Sequence, residues 1–394
     1  MEKSKVRKTE QIPTAANMMD RLPRDIVIRI LSRIPLTYLI QLKLVCRAWR
    51  SLIQDPLLAS DHFSNMANND PSLIIQSHLP DRYQLFFTDL SHDSQGNLIS
   101  KKPPCPVEQM FLKDSCNGLL CMRDARDRAL YICNPFTRQS IELPKVNSPA
   151  QLGPLEFGFH PTTKEYKLVH IGKKYCPSNT NQSIVEQHSE VHVLTIGSLT
   201  WRNLGTIPHR FIRKASKVII NGRLHWISKP KKRYSLPSLL ISFDLETEQF
   251  QEVPKPDCCG SGSGIYKCFH RLMILSGCLS ISAYQNGQLG IWVMKEYGVK
   301  ESWIKEFNIE ASLPRVLRKP MLRGRFVVNP YPFVRVICSL KSGEILLEYG
   351  SRTLVLYDPQ LETYKKLTFP EMPTWFKIIV HVGSLNWLDT PLNM

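Results

Sequence analysis

The chain has 394 residues, with 51 Lys and Arg against 34 Asp and Glu, so its formal net charge is +17. This length exceeds one ordinary domain, and a hydrophobic content of 43% is normal for a packed globular core. It contains no apolar run of about 18 residues, so no membrane-spanning helix is predicted.

The N-terminal segment is charged and lacks the apolar stretch of a secretory signal. We expect residues 1–17 to be a disordered leader. The 11 cysteines are odd in number and irregularly spaced, which argues against a disulfide framework and favours a reducing compartment. The predicted location is therefore the cytoplasm and/or the nucleus.

Residues 18–60 are predicted to form three short helices. Pro23 suits a first helical turn, Pro35 ends the first helix, and Pro56 ends the third. The apolar residues at helical spacing are Ile26, Ile30, Leu31, Ile34, Leu39, Leu42, Val45, Trp49, Leu52 and Ile53. Three helices of this size bury little surface, so the pattern predicts a helical docking module that completes its core against a partner.

The order of these residues resembles the F-box, in the pattern LPxD, IL, IP, L, VC, W, L from Met19 to Leu58. The resemblance implies binding to the Skp-type adaptor of cullin-based ubiquitin ligases, and through it to cullin. The residues that it places at the adaptor are Leu22, Pro23, Ile30, Leu31, Ile34, Pro35, Leu39 and Trp49.

After a predicted linker at 61–70, the sequence from 71 to 394 becomes strand-like and repetitive. A glycine turn opens an apolar strand at Gly118, Gly222, Gly277 and Gly343. The interval of roughly 50 residues is typical of propeller repeats. With a divergent unit after the first copy and two strands after Asp70, we predict an all-β propeller-like domain of about six blades. The stretch from Trp375 to Trp387 is expected to supply closing strands.

Two strings, YICNPFTRQSIELP and IWVMKEYGVKESWIKEF, resemble the F-box-associated domain of plant F-box proteins. This resemblance implies a propeller-like fold whose role is to capture a protein target. The repeats lack both the Gly-His and Trp-Asp signature and the Gly-Gly doublet of two other propeller classes. The strand tryptophans are expected to pack between blades.

No catalytic constellation or metal site is predicted. The strand histidines His160, His170, His192 and His225 fit structural roles, and the loop at Ser261–Gly264 lacks the setting of a nucleophile elbow or a P-loop. The cysteine cluster does not match zinc-ribbon spacing; it comprises Cys258, Cys259, Cys268 and Cys278. We expect no enzyme activity and no cofactor.

Two acid-free segments, 191–243 and 311–343, carry ten and seven basic residues, which equals the whole excess of 17. They are consistent with solvated faces, with a surface for an acidic or phosphorylated partner, or with nucleic-acid binding or nuclear import. Nucleic acid is disfavoured because few aromatics interleave with the cations. The candidate target-binding residues are Arg213, Lys214, Lys232, Arg233, Arg323 and Arg325.

The sequence thus predicts a substrate-recognition subunit of an SCF-type cullin-RING E3 ubiquitin ligase, in which the F-box docks to the adaptor and the propeller captures a target. The alternative is a non-ligase propeller scaffold that binds an acidic protein or nucleic acid.

Overall fold

The computed structural model describes residues 22–77, 84–92, 98–101, 110–146, 153–177, 185–209, 211, 218–228, 238–257, 269–285, 288–310 and 334–389. The predicted leader, 1–17, lies outside them. The described residues form a short helical region followed by an all-β ring.

The helical region has four helices where the sequence predicted three. They are α1 (Arg24–Leu31), α2 (Leu36–Leu42), α3 (Arg47–Ile53) and α4 (Pro56–Ala67). Pro56 begins α4, because Asp55 caps this helix by accepting the backbone N–H of Leu57 at 2.9 Å. Helix α4 therefore occupies most of the predicted linker at 61–70.

The strands form six four-stranded antiparallel sheets. In chain order they are β1 (Ser72–Ser77), β2 (Leu85–His92), β3 (Leu98–Lys101), β4 (Met110–Cys116), β5 (Leu119–Asp124), β6 (Leu130–Cys133), β7 (Ser140–Leu143), β8 (Leu155–His160), β9 (Glu165–Pro177), β10 (Val185–Thr195), β11 (Arg202–Ile207), β12 (Val218–Ile220), β13 (Arg223–Ile227), β14 (Leu240–Asp244), β15 (Phe250–Val253), β16 (Phe269–Leu275), β17 (Cys278–Gln285), β18 (Gln288–Met294), β19 (Trp303–Glu310), β20 (Val334–Ser339), β21 (Ile345–Tyr349), β22 (Thr353–Asp358), β23 (Thr363–Leu367) and β24 (Phe376–His381).

These sheets are the six blades of a propeller, as predicted. Blade I has the order β24-β1-β2-β3, and blades II to VI each take four consecutive strands from β4 onward. Successive blades contact each other through these strand pairs: β24 with β4, β4 with β8, β8 with β13, β12 with β16, β16 with β20, and β20 with β24. The last strand closes the ring on the first, with Ser72 opposite His381 and Ser77 opposite Phe376.

The sequence repeats correspond to turns with a shared geometry. Both central residues of the first hairpin turn have positive φ in blades II and IV: 48° and 80° at Asn117 and Gly118, and 51° and 69° at Asn221 and Gly222. Such turns match the twist of the strands they join. An Asn or Asp closes the turn between the third and fourth strands in blades II, IV and VI, since the Oδ1 atoms of Asn134, Asp244 and Asp358 accept backbone N–H groups two and three residues onward.

The tryptophans take different positions. Trp226 is 0% exposed, as expected for core. Trp201 and Trp303 are half-buried and donate their indole N–H to the carbonyls of Pro144 and Pro254, at 2.8 and 2.9 Å, which ties neighbouring blades together. Trp375 is 39% exposed and is not a core residue.

The segment after β24, residues 382–389, joins the ring to the helical region, and we call it the C-terminal strap. The predicted closing strand is confirmed at β24, but the strap contains no strand. Its Leu385 belongs to the helical core, and Asn134 of blade II donates to the carbonyls of Ser384 and Asn386 at 2.9 and 2.7 Å. Phe63 of α4 packs into the core shared by blades II and III. We call the ring face that carries these turns and the strap the helical face, and the other the opposite face.

Candidate docking surface of the helical region

The core of the helical region is built from all four helices, together with one residue of the strap. Its most buried side chains include Val27, Leu31, Leu39, Leu58 and Leu385, all between 0% and 6% exposed. Polar contacts hold α4 in place, since the His62 ring Nε2 lies 3.0 Å from the carbonyl of Ile34. Burial lowers the pKa of His62, so its ring is neutral at physiological pH.

Apolar side chains are also exposed on this region in unusual number. Seven of the fourteen large apolar side chains that are exposed among the described residues lie between Leu22 and Leu57. Ile26 and Ile30 lie four residues apart on one face of α1, and Leu22 lies just before this helix; Leu22, Ile26 and Ile30 are 43%, 41% and 46% exposed. The others are Tyr38, Leu44, Val45 and Leu57, at 61%, 82%, 64% and 58%.

The helical region carries a net positive charge. From Leu22 to Leu58 six basic residues stand against two acidic ones, Asp25 and Asp55. Asp55 is buried and already paired with Arg24 at 2.5 Å. The region therefore presents apolar side chains among largely uncompensated cations, which suits a partner with an apolar and acidic face.

The residues assigned to the adaptor from the sequence divide into three groups. Leu22, Pro23, Ile30 and Pro35 are exposed; Ile34 and Trp49 are half-buried. Leu31 and Leu39 are 0% exposed, so here they pack the helical core beneath the surface.

Five of these seven exposed apolar residues are absent from the adaptor set predicted from the sequence, namely Ile26, Tyr38, Leu44, Val45 and Leu57. The four-residue spacing of Leu22, Ile26 and Ile30 was the signal that could have found Ile26.

All six candidate target-binding residues lie outside the described residues: Arg213, Lys214, Lys232, Arg233, Arg323 and Arg325.

The four strand histidines considered as possible bases are buried in the ring. His225 is 0% exposed, with its Nε2 2.7 Å from the Tyr297 hydroxyl, and burial lowers its pKa to about 4. Burial and neighbouring His192 likewise lower the pKa of His170 to about 4. Among the described residues no group of three His, Cys, Asp or Glu is placed to hold a metal ion, and none of the helices could cross a membrane.

Comparison with known proteins decides the family. A model of the F-box domain matches residues 19–60, and a model of the F-box associated beta propeller domain matches residues 73–384. The chain belongs to the F-box proteins that carry an F-box-associated β-propeller. The F-box protein At3g07870 of Arabidopsis thaliana is 40% identical over 400 residues, which cover 95% of this chain and 94% of the relative.

Other F-box relatives are more distant. The F-box/kelch-repeat protein At3g23880 is 27% identical over 73% of this chain and 79% of its own length, and the F-box protein CPR1 is 24% identical over 93% and 89%; both are from Arabidopsis thaliana. Membership of the F-box family implies that the chain acts as a substrate adaptor in an SCF complex. F-box proteins are typically non-catalytic. The F-box match implies binding to a Skp-type adaptor.

Proposed function

We propose that this chain is the substrate-recognition subunit of an SCF-type cullin-RING E3 ubiquitin ligase. Its F-box docks to the Skp-type adaptor and its propeller captures a protein target for ubiquitination. The chain supplies no chemistry of its own; by holding the target near the ubiquitin-loaded enzyme it raises the local target concentration.

The observation that carries this proposal is the exposed apolar stripe on α1 above a core that is already filled. Leu22, Ile26 and Ile30 do not complete the helical core, because Leu31, Leu39 and Leu385 do so. Exposed apolar side chains with no part in folding mark an interaction surface. The proposed contact set also includes Pro23, Ile34, Pro35, Tyr38, Leu44, Val45 and Trp49, with Leu31 and Leu39 supporting it from below.

The adaptor contact can be tested with two matched double variants. Ile26→Ala with Ile30→Ala removes two anchors, and truncating such anchors commonly costs about 2 kcal/mol or more each, so binding to a Skp-type adaptor should weaken more than tenfold. The control is Ile304→Ala with Leu361→Ala, two apolar residues of the ring at 53% and 70% exposure. Equal adaptor affinity in both double variants would rule out this surface.

The target-binding part of the proposal concerns the face opposite the helices. The segments containing Arg213, Lys232 and Arg323 connect β11 to β12, β13 to β14 and β19 to β20. Antiparallel order within each blade supports placing these strand ends on the opposite face, away from the adaptor. Charge reversal at Arg323 and Arg325 should reduce target capture and leave adaptor binding intact. Unchanged capture at low and moderate salt would mean that these segments only solvate the surface.

A further inference from the structure

One aromatic and one cationic side chain meet at the rim of the opposite face. Trp375 lies just before β24, and Arg352 lies in the turn between β21 and β22. The guanidinium carbon of Arg352 is 4.5 Å from the centroid of the Trp375 ring. Trp375 is the one tryptophan among the exposed large apolar side chains of the described residues.

The backbone holds this pair in a fixed position. The N–H of Phe376 donates to the carbonyl of Ser351 at 2.9 Å, and the N–H of Arg352 donates to that of Tyr349 at 3.1 Å. Gly350 and Ser351 have φ of 59° and 57°, as a tight hairpin turn requires. The backbone that carries both side chains is therefore ordered before a partner binds.

The Arg352 guanidinium has no anionic partner in the described part of the chain. By contrast, Arg202 makes two hydrogen bonds to the carboxylate of Glu248, at 2.8 and 2.5 Å. The Nε of Arg352 is buried without an acceptor. Stacking on a ring uses the face of a guanidinium and leaves its in-plane N–H donors for a carboxylate or a phosphate.

Three further cations lie near the starts of the inner strands, below the same rim. They are Arg271 of β16, Arg335 of β20 and Lys377 of β24. Arg335 donates to Glu348 at 2.7 Å, and the Lys377 ammonium donates to the carbonyls of Leu112 and Lys113 at 2.9 and 3.0 Å.

These cations influence one another. Burial and the charge of Arg335 lower the pKa of Arg271 to about 10, with Glu348 acting in the other direction. Burial lowers the pKa of Lys377, with Arg335 adding to the effect and Asp114 and Glu156 opposing it. Arg352 therefore adds its positive charge to a group of neighbouring cations at this end of the ring, a setting that favours an incoming anion.

We propose that Trp375 and Arg352 form an anchor for an acidic side chain, either carboxylate or phosphate, on the captured protein target. The proposal rests on target capture by the propeller as its function. Trp and Arg are the residues most often found as interface anchors, and a guanidinium pairs with both anions bidentately. The anchor lies on the face opposite the α1 stripe, so a target held there does not compete with the adaptor.

The test uses the full chain in complex with a Skp-type adaptor and three peptides of one design. The first peptide is glutamate-rich, the second has phosphoserine at the glutamate positions, and the third has lysine there. The readout is Trp375 emission, taken as the difference between the wild-type protein and Trp375→Phe. We expect at least one acidic peptide to change this emission, and the lysine peptide to leave it unchanged. The stronger acidic peptide identifies the preferred anion.

Two variants locate the effect. Arg352→Gln should weaken binding of the acidic peptide about tenfold or more. Lys305→Gln is the matched control, because Lys305 also stacks on a tryptophan, Trp292, at 5.3 Å, but belongs to the outer strand β19. It should leave binding unchanged.

The proposal is overturned if neither acidic peptide changes Trp375 emission, or if Arg352→Gln and Lys305→Gln weaken binding equally. Adaptor affinity is measured separately on the same variants. A wild-type chain that binds an acidic peptide but no adaptor would contradict the proposed ligase role and leave the anchor standing.

Discussion

The helical region and the ring bury their apolar residues in different ways. In the ring, the second strand of a blade is paired along both edges and packs against a neighbouring blade, so that Ile75, Leu120 and Leu346 are 0% exposed. The helical region closes its core with a residue of the strap and still exposes seven large apolar side chains. The ring is therefore expected to supply its own stability, whereas the helical region leaves an apolar surface available to a partner.

The largest expected effect comes from opening the ring. A chain that ends at Thr368 lacks β24, which covers β1 and contributes Phe376 and Ile378, at 0% and 1% exposure. Burying such side chains contributes about 1.5–3 kcal/mol each, and the total stability of a domain is about 5–15 kcal/mol. We expect loss of cooperative unfolding in thermal circular dichroism. A chain ending at Asp389 keeps β24 and the strap and should melt like the full protein; similar melting of both truncations would contradict closure through β24.

The second prediction uses pH to probe the ring. Burial lowers the pKa of His381 to about 3, as it lowers those of His170 and His225 to about 4. In the unfolded chain these imidazoles become protonated near pH 6.5. Between that pH and about pH 4, the unfolded chain therefore binds more protons than the folded chain. The free energy of unfolding therefore keeps its full value above about pH 6.5. As the pH is lowered below that, it decreases by up to about 1.4 kcal/mol per pH unit for each histidine.

Denaturant unfolding at pH 7 and pH 5 measures this effect above the range where ordinary carboxylates titrate. The three histidines together predict a loss of roughly 5–6 kcal/mol, and His381→Asn should reduce it by about a third. Equal stability at the two pH values would show that these imidazoles take up protons as readily in the folded propeller as in the unfolded chain.

The third prediction separates folding from docking at adjacent positions of α1. Leu31 is 0% exposed and Ile30 is 46% exposed. Leu31→Ala leaves a cavity in the helical core and should lower the free energy of unfolding of this region by about 2–5 kcal/mol. Ile30→Ala should change it by less than about 0.5 kcal/mol and still weaken adaptor binding. Chemical denaturation and adaptor titration on both variants provide the check; destabilisation by Ile30→Ala as large as that by Leu31→Ala would remove the distinction.

The sequence predicted those features that depend on local chemistry. The turns at Gly118 and Gly222 were found because few other residues adopt their φ, and the repeat interval led to six blades. The exposure of Tyr38 and the burial of Leu39 could not be separated, since both depend on how α2 packs against α3 and the strap. Helix α4 was missed because Pro56 can end one helix or begin the next, and Asp55 decides between the two.

The last and smallest effect concerns the junction between the two regions. Asn134 closes its own turn through Oδ1, at 2.8 Å from the N–H of Phe136, and also donates through Nδ2 to Ser384 and Asn386 of the strap. Asp358 closes the equivalent turn in blade VI, at 2.8 Å from the N–H of Gln360. We therefore expect Asp358→Ala to cost about 1 kcal/mol for the lost turn. Asn134→Ala should cost about 1–2 kcal/mol more, because two buried strap carbonyls lose their donor.

The strap carries Leu385 into the helical core, so loosening it should be felt beyond blade II. Hydrogen exchange is the sharper measurement: Asn134→Ala should speed exchange in α1 and α2 as well as in its own turn, whereas Asp358→Ala should affect blade VI alone. If Asn134→Ala leaves exchange in the helices unchanged, the two regions are stabilised independently and the strap does not couple them.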